Sequence, residues 1–132
     1  MRSMSAMKSE MTGKMETEAG DGGSSVRPLD LVHLSKYTFG DRGLEAELMG
    51  LFRSQAEVYI SRLETATTPK DWRDAAHSLK GSARGLGAWG LGDIAEEVER
   101  HDFADEMQRH ADIARVREEI DVVKDFIDEM LS

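Results

Sequence analysis

Cysteine is absent from this 132-residue chain, which removes both a disulfide framework and any thiolate metal site. No run of 18 apolar residues occurs, so no transmembrane helix is encoded. The first 25 residues contain no Leu, Ile, Val, Phe, Tyr or Trp, so the apolar core of a signal peptide is missing too. These absences predict a cytoplasmic protein. Strict apolar–polar alternation is lacking, and with it any strand pattern. Glycines are plentiful around residues 85–92, but no strand leads into them, which excludes a dinucleotide fingerprint. A P-loop is also missing, so an autonomous kinase is not expected. Positive charge is outweighed: 17 Lys and Arg face 26 Asp and Glu, and the net charge of −9 argues against nucleic-acid binding.

What remains is helical. Residues 1–26 are rich in Met, Ser, Gly and charge, and are expected to form a disordered tail. Residues 27–132 are expected to form one domain. Pro28-Leu29-Asp30 opens a short helix with Leu31, Leu34 and Tyr37 at helical spacing, ending near Gly40. Asp41 then caps a second helix over about 41–66 that aligns Leu44, Leu48, Leu51, Phe52, Tyr59 and Leu63. Thr68 and Pro69 cap and open a third. A fourth runs over about 89–106, with Leu91, Ile94, Ala95 and Val98 inward. The last, about 108–131, repeats Ile113, Val116, Ile120, Val123, Ile127 and Met130 in steps of three and four. The predicted fold is all-α: an antiparallel up-and-down four-helix bundle with a short extra N-terminal helix.

Histidines are few, and one is out of place for a core residue. On the third helix, Trp72, Ala75, Ala76, Ala83 and Leu86 lie within about 60° of Leu79, whereas His77 lies about 160° away. Lys80, Arg84 and Arg73 share its outer half, and Gly81 follows it by one turn. A neutral imidazole is a nucleophile, and the neighbouring cations suit the oxygens of a phosphoryl group. Residues 70–84 carry Lys70, Arg73, Lys80 and Arg84 against Asp71 and Asp74, a local excess of positive charge on an acidic chain. Glycine in a helix interior costs about 1 kcal/mol relative to Ala, which is consistent with a need for clearance beside His77. His33, His101 and His110 have no second ligand at metal-binding spacing. His101 and His110 are expected to be solvated, and His33 to cover the bundle. Trp89 is expected at an edge, plugging the bundle end.

The run His77-Ser78-Leu79-Lys80-Gly81-Ser82-Ala83, with Gly87 ten positions after the histidine, resembles the histidine-containing phosphotransfer (HPt) family of two-component signalling. The likeness extends over about residues 29–130, through Leu48, Leu51 and Phe52 before the motif and Ile94, Val98 and Glu99 after it. It implies reversible phosphoryl transfer between His77 and an aspartate of a receiver domain, with Nε2 as the nucleophile. It also implies Lys80 as the stabilising cation, Arg84 and Arg73 as lesser ones, and Gly81 as clearance. Nδ1–H would be oriented by an acceptor that the sequence does not identify. The implied partners are response-regulator receiver domains and a sensor or hybrid histidine kinase, with no nucleic acid and no membrane, and the chain is expected as a monomer. No cofactor is expected on this chain, because Mg²⁺ belongs to the partner's receiver domain. Two other readings are an adaptor that binds receivers or kinases without transferring phosphate, and the phosphoacceptor domain of a chemotaxis-type kinase.

Overall fold

A computed structural model describes residues 27–132; the tail expected over residues 1–26 lies outside the described residues. Five helices follow in order: α1 (Leu31–Thr38), α2 (Arg42–Thr65), α3 (Pro69–Leu86), α4 (Trp89–Arg100) and α5 (Glu106–Leu131). Among the described residues there is no strand, and no helix is long and apolar enough to cross a membrane. α3 packs against α2 and α4, α5 packs against the same two helices, and α1 rests on α2 and α3.

Local chemistry sets most boundaries. The Asp30, Asp41, Thr68 and Asp105 side chains each accept a backbone N–H three residues on, satisfying donors that the first helical turn leaves open. Pro69 occupies the first turn of α3, where its missing N–H costs nothing. α3 ends at Gly87, whose φ of 94° lies in the left-handed region. A Cβ there would stand 2.9 Å from the Asp30 carbonyl oxygen. Glycine therefore also lets the segment before α1 lie against the end of α3, where Asp30 N–H donates to the Gly87 carbonyl at 2.9 Å.

The core is built as the periodicity of α3 predicts: Trp72, Ala75, Ala76, Leu79, Ala83 and Leu86 are all buried. Each large apolar side chain so enclosed contributes about 1.5–3 kcal/mol. Trp72 also donates its indole N–H to the Val98 carbonyl at 3.0 Å, pinning α4 to α3.

Three expectations need correction. The buried face of α2 is Met49, Phe52, Ala56, Ile60 and Leu63, whereas Leu44 and Leu51 are exposed and Leu48 and Tyr59 half-buried. α4 stops at Arg100 and not near 106, because His101 turns extended and its N–H bonds back to the Val98 carbonyl at 3.2 Å. His101 is not merely solvated. Its Nδ1 lies 2.9 Å from the buried carboxylate of Asp112, which also accepts from Gln108 Nε2 at 2.9 Å. His33 does cover the bundle, edge-on to the Tyr37 and Trp89 rings. Trp89 sits at the α3–α4 corner, where its indole N–H donates to Asp30 Oδ2 at 3.0 Å.

Candidate functional site

The site grows from one helix face and its neighbour. On α3, the side chain of His77 is 68% exposed, while that of Lys80 is only 21% exposed. α4 runs alongside and supplies Glu99, whose two carboxylate oxygens are divided between them. Oε1 is 2.8 Å from Lys80 Nζ, and Oε2 is 3.1 Å from His77 Nδ1.

Electrostatics fix the hydrogen positions. The Lys80 ammonium beside Glu99 holds its carboxyl below the usual carboxylate range, and His77 adds to this against the opposing effect of burial. An ionised carboxylate can only accept, so the Nδ1 of His77 donates. The neutral imidazole then carries its proton on Nδ1, and Nε2 keeps a free lone pair on the solvent side. Glu99 supplies the acceptor that the sequence leaves unidentified.

The other cations are less free than one helix suggests. Arg84 reaches across to α4, with one guanidinium nitrogen 3.1 Å from Asp93 Oδ1 and 2.5 Å from Glu96 Oε1. Arg84 holds the Glu96 carboxyl down, and Glu96 and then Asp93 push the guanidinium up. Gly92 makes room for this crossing, since a Cβ there would lie 2.7 Å from Arg84 Cγ. Arg73, one turn before His77, is exposed and makes no ion pair among the described residues. The structure thus brings Lys80 to His77 through Glu99 and ties Arg84 to the α4 carboxylates.

Beyond His77 the surface is open. Nothing lies within 4 Å of a Cβ built on Gly81 or on Gly85, the positions one and two turns further along α3. Beside Gly85 opens an apolar groove of about 530 Å³. Leu34 and Tyr37 of α1 and Leu48, Leu51 and Tyr59 of α2 form its walls, and Ser82 and Leu86 of α3 complete it. Leu48 and Leu51, which lie off the buried face of α2, are therefore part of this groove.

Among the described residues no cluster of three or more His, Cys, Asp or Glu could hold a metal ion. No curated protein and no solved structure matches the chain at a significant level. The model of the Hpt domain family matches residues 47–132, from the second turn of α2 through the motif helix to the end of the chain. Hpt domains take part in phosphotransfer in two-component phosphorelays, where they interact with receiver and kinase domains. With well over half of its length matched, and an exposed imidazole on the motif helix beside a Lys–Glu pair that joins α3 to α4, this chain belongs to the Hpt domain family.

Proposed function

We propose that this chain is a histidine phosphocarrier in which His77 exchanges a phosphoryl group with an aspartate of a partner receiver domain. The observation that carries this reading is the exposed imidazole with Nδ1 held by Glu99, which presents Nε2 to solvent as a nucleophile. In the forward step the Nε2 lone pair attacks the phosphorus of an aspartyl phosphate. The N–P bond forms, the P–O bond to the aspartyl carboxyl breaks, and its electron pair leaves with the carboxylate. The return step reverses each change.

Lys80, which shares Glu99 with His77, pairs with phosphoryl oxygens as they arrive, exchanging part of its contact with Glu99. Arg84 and Arg73 act at longer range. Gly81 and Gly85 leave the surface low enough for a partner to bring its aspartate against Nε2, and the groove beside them receives apolar side chains of the same partner. The acidic pocket and Mg²⁺ are the receiver's own, so this chain needs no bound metal.

Architecture serves this role. α2–α5 form an antiparallel up-and-down four-helix bundle, α1 is an additional cover, and residues 27–132 act as one monomeric cytoplasmic unit apart from the tail. The packing of α3 and α5 each between α2 and α4 supports this arrangement.

The test is phosphotransfer from phosphorylated receiver domains to the wild-type chain and to His77→Gln. Acid-labile, alkali-stable label on wild type alone is the expected outcome. A wild type that takes no label from several competent donors overturns the reading and leaves a binding adaptor.

A further inference from the structure

We propose that the outer stripe of α2 is a self-association surface. A second copy of this chain docks there antiparallel, about a two-fold axis between Ser54 and Gln55, and covers the α2 wall of the apolar groove. The monomer remains the form that transfers. Self-association stands independently of the phosphocarrier reading, and only its effect on transfer rests on it.

The bundle uses one of two apolar stripes on α2. At about 100° per residue, Leu44 and Val58 lie within about 20° of Leu51, whereas the buried Met49, Phe52, Ala56, Ile60 and Leu63 centre about 140° away. Leu44, Leu51 and Val58 recur every seven residues, the spacing at which one helix lays a seam against another. Leu51 is 58% and Val58 48% exposed, so the described fold leaves this seam uncovered.

Charge is distributed to match. Arg53, Glu57 and Glu64 occupy the flank toward α5, where they pair with Asp128, Lys124 and Arg117. Within about 80° of Leu51 the charged residues of α2 are Glu47 and Arg62, both exposed. Depletion of charge at the centre of a surface is what an interface core requires. Neither residue makes an ion pair among the described residues. Arg62 borders the same surface pocket as Asp71 and Asp74, and Asp74 is held by Lys70.

The stripe is self-complementary. Leu51 with Val58, Glu47 with Arg62, and Leu44 with Thr65 are each centred between Ser54 and Gln55. An antiparallel copy therefore sets Leu51 against the second copy's Val58 and Glu47 beside the second copy's Arg62, each twice by symmetry. A parallel copy would set Glu47 on Glu47 and Arg62 on Arg62, which like-charge repulsion opposes. One helix pair about 32 Å long is a small interface, so the dimer is weak and reversible. Leu48, Leu51 and Gln55 also line the groove beside Gly85. A second copy seated on α2 thus shuts a receiver out of that groove, and carrier at high local concentration holds itself back from transfer.

Sedimentation velocity of the full chain from about 1 µM to 1 mM measures the association. Wild type should dimerise reversibly, and less so as salt screens the two exposed pairs. Glu47→Arg and Arg62→Glu, each checked for fold by circular dichroism, should dimerise roughly tenfold or more weakly, since two attractions become two repulsions. An equimolar mixture of the two variants should recover the dimer, as should the double variant, because every reversed charge again meets its opposite. Wild type that stays monomeric throughout overturns the proposal and leaves the stripe to other partners, a receiver helix among them. Single variants that dimerise like wild type, or a mixture that recovers nothing, overturn the antiparallel register. Label uptake per molecule from a phosphorylated receiver should fall as wild-type concentration rises, and should not fall for Glu47→Arg. Equal behaviour of the two overturns the shielding of the groove while dimerisation stands. Absence of label on every chain is a failure of the carrier reading alone.

Discussion

The two glycines of the motif, Gly81 and Gly87, should respond to alanine with opposite signs. Gly87 has φ 94°, and holding an L-residue in the left-handed region costs roughly 1–2 kcal/mol. The added Cβ would stand 2.9 Å from the backbone oxygen of Asp30, which cannot swing aside as a side-chain end can. Relieving that contact sacrifices the Asp30 N–H to Gly87 carbonyl bond, about 1 kcal/mol, and loosens the segment before α1. Alanine recovers about 0.4–1 kcal/mol by restricting the unfolded chain. The balance is a loss of about 2 kcal/mol for Gly87→Ala, or roughly 8–16 °C in Tm for a domain of this size. Gly81 has helical neighbours on both sides and open space where its Cβ would go, so Gly81→Ala should gain about 0.5–1 kcal/mol.

Urea denaturation followed by circular dichroism measures both, provided the m-values match wild type. Phosphotransfer per folded molecule separates structure from docking. Gly87→Ala should transfer normally once folded, whereas Gly81→Leu should fold and lose transfer from a receiver, because its side chain fills the clearance beside Nε2. A Gly87→Ala protein within about 0.5 kcal/mol of wild type would refute the argument from φ and close approach. A destabilised Gly81→Ala would refute the claim that this glycine serves the surface alone.

Two further outcomes follow from the interior. His101→Ala leaves the Asp112 carboxylate buried with Gln108 alone, and should cost about 2–4 kcal/mol by chemical denaturation. Replacing His101 and Asp112 together by leucine should cost less than the sum of the single changes, and an additive pair would show that they do not interact. On α5, burial pushes the Glu119 carboxyl up, with Glu118 adding to the effect, so the folded state holds this proton to a higher pH than the unfolded chain. Its contribution is favourable in acid and is lost as pH rises through the folded value. Glu119→Gln should therefore raise Tm at pH 7 and leave it nearly unchanged near pH 4; equal shifts at both would contradict the burial argument.

Legibility in the sequence tracks how local the cause is. The start and the buried face of α3 are readable because Thr68 and Pro69 act within a turn and its apolar stripe is unambiguous. α2 is not, because two stripes overlap along it. Met49, Phe52, Ala56, Ile60 and Leu63 face the core, while Leu44, Leu48 and Leu51 lie on another side. Weighting by leucine selects the wrong stripe, since a modest alanine and methionine occupy core positions. The end of α4 depends on the Val98 carbonyl, which two donors share, one from a tryptophan 26 residues away. No local pattern encodes that.

The site itself was half legible, and the missing half changes its character. Counting charge along residues 70–84 alone describes a cationic trap for phosphate. In the folded chain α4 lays Asp93, Glu96 and Glu99 against Arg84 and Lys80, and Lys70 pairs with Asp74 on its own helix, so three of the four cations Lys70, Arg73, Lys80 and Arg84 are already partnered. The paired spacing is visible afterwards: Lys80 and Arg84 are four apart on one helix, Glu96 and Glu99 three apart on the next, and both spacings return to the same face. Which helix meets which, and at what register, is the tertiary information that one sequence withholds. The consequence is chemical. A free cationic cluster would hold the phosphorylated state and the approaching phosphoryl group alike, stabilising a resting point instead of the crossing. Cations that must exchange a carboxylate for a phosphoryl oxygen gain less from holding it, and a group held with little net gain is one that can be passed on in either direction.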